Sequence, residues 1–163
     1  MARIELPPGD LPERYRVFGL APEMGKALAG LSQAIYEKSI VDKRVREAVR
    51  MRIAQINQCQ ICLGYRFPEL RELGVDEAFY AAVGDWRNAT LFSEREKIAI
   101  DYAERFLMNH LSIDDAFMAR MREFFSAAEI FDLSGIIGGL LANGRMMQVL
   151  QIEHSCALDA VEN

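Results

Sequence analysis

Two of the chain's three cysteines, Cys59 and Cys62, stand three residues apart in the run Asn57-Gln58-Cys59-Gln60-Ile61-Cys62. Residues at that spacing are neighbours across one helical turn, so the pair is placed to exchange between dithiol and disulfide with modest rearrangement. The polar Asn57-Gln58 before them reads as a helix stop. Both cysteines then fall in the first turn of the next helix, where unpaired amides and the positive end of the helix dipole stabilise a thiolate. A thiolate with a resolving partner is the minimum equipment of a peroxidase or a disulfide reductase. Two blander roles fit the same residues: small buried apolar side chains, or half of a zinc site. Zinc needs two more ligands, and the available pair is His154 and Cys156. Their His-x-Cys spacing is not a usual half-site, and the chain's end would have to fold back over Cys59, so neither a metal nor a cofactor is expected.

The elements that must position this pair are helices. Apolar residues recur at helical spacing nearly everywhere after residue 12, and period-2 alternation is almost absent, which makes the fold class all-α. A short helix over Glu13–Phe18 should break at Gly19–Pro22. The next runs from about Glu23 to Lys38 with Met24, Leu28, Leu31 and Ile35 on one face. Asp42 is placed to cap a third helix whose Val45, Ala48, Val49, Ile53 and Ile56 form a buried stripe, with Lys43, Arg44, Arg46, Arg50 and Arg52 mostly elsewhere. The helix that carries the cysteines should run to Gly74 and be kinked or split near Tyr65–Phe67 by Pro68. Residues 84–91 read as a connector. Ser93-Glu94-Arg95-Glu96 and Ser126-Ala127-Ala128-Glu129 match capping boxes at two helix starts, and Asp114–Phe124 is a helix between them. The last helix runs from Glu129 to Asn143 or beyond, and Gly135, Gly138 and Gly139 inside it call for close helix packing as compensation. His110 falls in a loop, and Met146-Met147 read as core or subunit contacts rather than a copper site.

At 163 residues the chain is one domain on the usual prior, spanning 1–163. Hydrophobic residues at 51% and charged residues at 26% exclude disorder. Nineteen basic against twenty-four acidic residues give a net charge of −5, so no positive field gathers phosphate backbones and no nucleic acid partner is expected. No apolar h-region follows the early Arg3, and the nearly uncharged run Leu133–Asn143 is shorter than the ~18–20 residues of a membrane span. A cytoplasmic protein without a membrane partner is the expectation, and an odd cysteine count argues against a secreted disulfide framework.

These residues also carry a family resemblance. Glu47, eleven intervening residues and then Cys59-Gln60-Ile61-Cys62 resemble the Glu…Cys-x-x-Cys signature of the carboxymuconolactone decarboxylase superfamily, and within it the alkylhydroperoxidase D-like (AhpD-like) branch. Val45-Arg46-Glu47-Ala48-Val49, the stretch from Phe92-Ser93-Glu94-Arg95-Glu96 through Asp101-Tyr102-Ala103, Phe125–Ile130 and Asn143-Gly144-Arg145 extend the likeness over about 12–155. It implies an all-helical fold of about seven or eight helices, assembled as a homo-oligomer, a trimer or hexamer. It also implies a thiol oxidoreductase acting on a small-molecule peroxide or disulfide and recharged by a thiol electron donor. Carried over residue by residue, Cys62 attacks, Cys59 resolves and Glu47 accepts the proton; a carboxylate desolvated between helices is pushed up toward the working range. From its own surroundings Glu47 reads instead as a surface carboxylate paired with Arg44, Arg46 or Arg50.

The chain departs from the family where its peroxidase members place histidines, between the cysteines and four residues after the second: Ile61 and Arg66 stand there. Arg66 is expected to stabilise a Cys62 thiolate from one turn away, although a guanidinium cannot pass protons, and Tyr65 to offer it a hydrogen bond. Two other readings stay open: a decarboxylase-like lyase, a branch that generally does not rely on a CxxC, and a noncatalytic helical oligomer with redox-sensing cysteines.

Overall fold

The structure, a computed structural model, describes residues 2–152. Among them there is no strand. The helices are α1 (Glu13–Arg16), α2 (Pro22–Gln33), α3 (Lys43–Asn57), α4 (Gln60–Gly64), α5 (Glu77–Ala82), α6 (Glu94–Met108), α7 (Asp115–Phe124) and α8 (Ala127–Val149), joined by short 3₁₀ and π turns.

Helix α3 is the axis, packed against α6 on one side and α8 on another. Its stripe of Val45, Val49 and Ile53 meets Ile98, Ala99 and Tyr102 of α6, Leu133, Ile136 and Ile137 of α8, and Phe117 and Met121 of α7. Its other face, Ala48, Met51 and Ala54, closes a second core with Leu70, Phe79, Val83, Trp86 and Ile100. A helix surrounded in this way also buries charge: Arg46, Glu47 and Arg50 are enclosed, contrary to the expectation that the charged residues crowd outward. Arg46 Nη1 donates to the carbonyls of Ile35 and Tyr36 at 3.1 and 3.0 Å, satisfying the end of the π turn that follows α2.

The local signals hold well. Both serine–glutamate capping boxes form, opening α6 and α8, and Pro68 splits its helix: α4 ends at Gly64, the chain is extended at Tyr65 and Phe67, and a 3₁₀ segment runs Pro68–Leu73 into a left-handed Gly74. Asp42 is the exception. Its side chain caps nothing; its carboxylate takes Arg95 Nη2 at 3.1 Å instead. In α8, Gly139 lets Leu31 and Ile35 pack where a side chain would collide, whereas Gly135 and Gly138 face open space. The helix is apolar around its circumference, yet Phe131, Gly135, Ala142, Met146 and Val149 lie exposed along one stripe. His110 opens an exposed 3₁₀ turn, as a loop residue should. Among the described residues no single helix is long and apolar enough to cross a membrane.

Candidate functional site

The site begins where α3 stops. Gln58 takes a left-handed conformation (φ 53°, ψ 34°), which ends the helix and turns the chain so that Cys59 becomes the N-cap of α4. The Cys62 amide then donates to Cys59 Sγ at 3.3 Å, and the two residues form a disulfide with Cα atoms 5.3 Å apart. Cys59 is only 8% exposed, while Cys62 is half-buried, so Cys62 is the more accessible residue of the pair. The turn is held from outside by α8: Arg145 Nε donates to Asn57 Oδ1 at 3.2 Å and Gln148 Nε2 to the Asn57 carbonyl at 2.7 Å. A side chain at Gly144 would press on Asn57 Nδ2, which gives the Asn143-Gly144-Arg145 run its place in the site.

About three turns back up α3, Glu47 is 1% exposed and bound bidentately by Arg50, Nε to Oε2 at 2.8 Å and Nη2 to Oε1 at 2.7 Å. Both expectations for Glu47 are thus met in part: it is desolvated, and it is paired with an arginine. Arg50 also donates to the carbonyls of Cys62 at 2.6 Å and Tyr65 at 3.3 Å. It therefore couples the carboxylate to the cysteine loop, and an arginine engaged both ways is fixed in orientation. Burial works against the Arg50 charge, but its hydrogen bond and attraction to Glu47 outweigh that and hold it above the ordinary arginine value. Tyr36 and Tyr80 flank the pair. Burial is the main force raising both hydroxyls, and it pushes Tyr80, with help from the Glu47 carboxylate, up to about 12.

Arg66 and Tyr65 do not join the site as expected. Because the chain leaves the helix at Tyr65, Arg66 is not one turn beyond Cys62. Its guanidinium takes both Glu77 oxygens at 2.7 and 3.0 Å, donates to the carbonyls of Leu63 and Tyr65, and lies 4.1 Å over the Tyr80 ring. Tyr65 is 44% exposed and packs edge-on against Phe67; among the described residues its hydroxyl donates to neither cysteine. It contributes its carbonyl, not its side chain. His154 and Cys156 lie outside the described residues, within which no group of three or more His, Cys, Asp or Glu is gathered to hold a metal. Among the three arginines that the sequence offers to Glu47 it is Arg50 that pairs, and Tyr80 carries no sequence signal at all. The i,i+3 spacing of Glu47 and Arg50 was a usable signal for the first; nothing in spacing marks the second.

The sequence profile of the carboxymuconolactone decarboxylase family matches residues 22–105, which include Glu47, the cysteine pair and most of α6. The chain belongs to that family. Its relative YnjA of Escherichia coli, an uncharacterized protein, is 33% identical over 102 residues, covering 63% of this chain and 56% of YnjA. The chain thus spans little more than half the length of that relative. In three dimensions it is similar to an uncharacterized peroxidase-related protein from Silicibacter sp. TM1040 (TM-score 0.78, 18% identity, 95% of this chain and 92% of that one). It is likewise similar to an alkylhydroperoxidase AhpD core, an uncharacterized peroxidase-related protein from Ralstonia eutropha JMP134 (TM-score 0.73, 17% identity, 90% and 78%). The fold of this family member is the all-α, AhpD-like one.

Proposed function

We propose that this protein is a thiol-based oxidoreductase of the alkylhydroperoxidase kind, in which Cys59 and Cys62 cycle between dithiol and disulfide while reducing a peroxide or a disulfide. The observation that carries the reading is the asymmetric pair: a half-exposed Cys62 closed onto a buried Cys59, with its loop bonded through Arg50 to a buried carboxylate. In the cycle the Cys62 thiol yields its proton to Glu47 and the thiolate attacks a peroxide oxygen. The O–O bond breaks, the alcohol or water leaves with the proton returned from Glu47, and Cys62 is left as a sulfenic acid. Cys59 attacks that sulfur and its thiol proton goes to the departing hydroxyl, so the S–O bond breaks, the disulfide forms and water is released. An external thiol then attacks the accessible Cys62 sulfur, Cys59 leaves as a thiolate held by the Cys62 amide, and a second thiol releases the donor as its own disulfide. Such a donor suits a reducing compartment such as the cytoplasm.

The redox-sensing alternative is favoured by Ile61 and Arg66 standing where the family's peroxidases carry histidines. A thiol count on the intact protein, anaerobic and then after mild peroxide, separates the readings from inert cysteines. The expected result is a loss of two hydrogens localised to one peptide that contains both residues. Thiols that become alkylatable only on denaturation, with no disulfide formed, would sink both redox readings; a disulfide formed without turnover under excess donor thiol would leave the sensor alone standing. The exposed small and apolar stripe of α8 supports a homo-oligomer, a trimer or hexamer by resemblance, in which a second copy packs on Phe131, Gly135 and Val149. Light scattering that reports a monomer across micromolar concentrations would contradict it.

A further inference from the structure

Three charged side chains are enclosed on one helix: Arg46, Glu47 and Arg50 of α3 are all buried, and only one of them is an acid. Arg50 takes that carboxylate. Arg46, whose Nη1 donates to two backbone carbonyls, makes no ion pair among the described residues. With two guanidiniums and one carboxylate the cluster carries an excess positive charge, which is costly to bury and suited to holding a second anion. Of the residues bonded to Arg50, Cys62 is the one besides Glu47 whose side chain becomes an anion near neutrality. Arg50 has five N–H groups. Two go to Glu47, one to the Cys62 carbonyl and one to the Tyr65 carbonyl; the fifth, on the nitrogen 2.6 Å from the Cys62 carbonyl, has no partner among the described residues. The carbonyl oxygen and the sulfur of one cysteine are at most about 5 Å apart. That nitrogen therefore stands within about 8 Å of the Cys62 sulfur in every rotamer, a range over which charges interact at a part-buried site.

We infer that Arg50 is the residue whose charge holds the Cys62 thiolate: its guanidinium is paired with Glu47 while the sulfur is neutral, and takes the sulfur as its counter-charge once Glu47 carries the thiol's proton. The inference rests on Cys62 being the attacking thiol of the proposed cycle and on Glu47 being its proton acceptor. In the step, the S–H bond breaks, its electron pair stays on sulfur and the proton goes to a Glu47 oxygen, while the guanidinium keeps its charge and its place. The negative charge thus passes from carboxylate to sulfur across a cation bonded to both residues, and Arg50 acts as a positioning residue. The charged and titratable groups around it are Glu47 and Arg46 on α3, Tyr36 in the turn after α2, Tyr65 and Arg66 on the chain after α4, and Tyr80 on α5. Burial raises the Tyr36 and Tyr80 hydroxyls and the arginines stay charged, so across the neutral range the changes of charge belong to Glu47 and the two cysteines.

The test uses the full chain with its cysteines reduced and reads the pH profile of Cys62 alkylation by iodoacetamide, with the modified peptide assigned by mass spectrometry. Glu47→Gln removes the anion that competes for Arg50, so the midpoint should fall by about one pH unit, a roughly tenfold gain in thiolate. In that background Arg50→Met should carry the midpoint back up by about one unit or more. Arg50→Lys, which keeps the charge but not the fork that grips the carbonyls, should stay close to Glu47→Gln alone. Removing both members of a buried ion pair spares the fold, so the Glu47→Gln, Arg50→Met protein should melt near wild type. The Glu47→Gln protein, alkylated faster near neutrality, should nevertheless lose thiol to tert-butyl hydroperoxide more slowly than wild type. Iodide leaves as a stable anion, whereas the alkoxide needs the proton that Glu47 returns. A midpoint that Glu47→Gln leaves in place, or that Arg50→Met does not raise, overturns the inference. So does an equal rise with Arg50→Met and Arg50→Lys, because Arg50 would then act by gripping the loop and not by its charge. Each of these leaves the oxidoreductase reading standing on its peroxide rates. A wild type inert to peroxide sinks that reading instead, and the alkylation profiles still decide whether Arg50 holds the thiolate.

Discussion

On one flank of α3, Glu104 of α6 receives Arg52 through Nε and Nη2 at 2.9 and 2.6 Å, Trp86 Nε1 at 3.2 Å and Arg87 Nη2 at 2.8 Å. On the other flank, Glu47 receives Arg50 alone among the described residues, and a buried hydroxyl beside it bonds nothing. Both carboxylates are largely enclosed and both are paired with arginine, so burial and ion pairing do not tell them apart. The number of filled acceptor directions does. Burial opposes the Glu104 charge, but hydrogen bonds from Arg87, Trp86 and Arg52 overcome it and bring the carboxyl down to about 2. A carboxylate saturated in this way is a brace joining α3, α6 and the connector at Trp86. One with open acceptor directions, joined through its arginine to a cysteine loop, is equipped to take a proton.

The largest expected effect lies at the cysteines. Cys62→Ser should abolish both peroxide-driven disulfide formation and turnover, since the remaining Cys59 is buried and has no partner sulfur. Residual turnover measured by peroxide loss would move the attack to Cys59.

Next comes the exchange of the two glutamates. Glu47→Gln keeps a side chain that can bond Arg50 but removes the proton acceptor, so peroxide-driven thiol loss should fall by about 10²-fold in stopped-flow measurements. Glu104→Gln should leave that rate within twofold or so and instead cost about 2 kcal/mol of stability, through weakened charge-assisted bonds. For a chain of this size that is a fall in Tm of roughly 4–8 °C. If Glu104→Gln slows the chemistry as much as Glu47→Gln does, the division into brace and acceptor is broken.

The same pair differs in how much of it could be read in advance. The capping boxes, the split at Pro68 and the helix stop before Cys59 are devices of three or four residues, and each formed where its residues stand. The burial of Glu47 and Arg50 depends on α3 having neighbours on every side, which periodicity cannot register on a helix so rich in arginine. Only the family resemblance directed attention to Glu47. Arg66 stands one helical turn past Cys62 in spacing, but the helix ends at Gly64 and the spacing no longer sets its direction. Tyr80 reaches Glu47 from a separate helix, and no local pattern encodes that approach.

Acid sharpens the contrast further. Glu104 titrates at about 2 in the fold against an ordinary 4.5, so its contribution to stability is fully present above the ordinary value and is lost as pH falls toward the folded one. The Tm difference between wild type and Glu104→Gln should therefore be constant above about pH 5 and shrink steadily between pH 4.5 and 2. Glu129, lowered to about 2 by the Ser126 backbone and by Arg95, loses its contribution over the same window but is common to both proteins and cancels in the difference. A gap that stays constant down to pH 2 would mean that Glu104 is not held as a charged brace.

The smallest effect is expected at Arg66, and it follows from the same count of filled bonds. Its guanidinium donates to both oxygens of Glu77 and to two backbone carbonyls, and its face rests on Tyr80, so it is spent on the 65–80 segment and not on sulfur. Arg66→Met should leave the pH profile of Cys62 alkylation by iodoacetamide unchanged, because a thiolate gains little from a charge already neutralised by Glu77 and turned away from it. Arg66→His should likewise fail to raise the peroxide rate. An imidazole at this position sits on the extended chain beyond α4, where it has no path to the cysteine pair. A profile displaced toward higher pH in Arg66→Met would place the guanidinium near the thiol in the reduced protein. A faster Arg66→His variant would show that opening the disulfide lets α4 run on past Tyr65 and brings position 66 back to the sulfur.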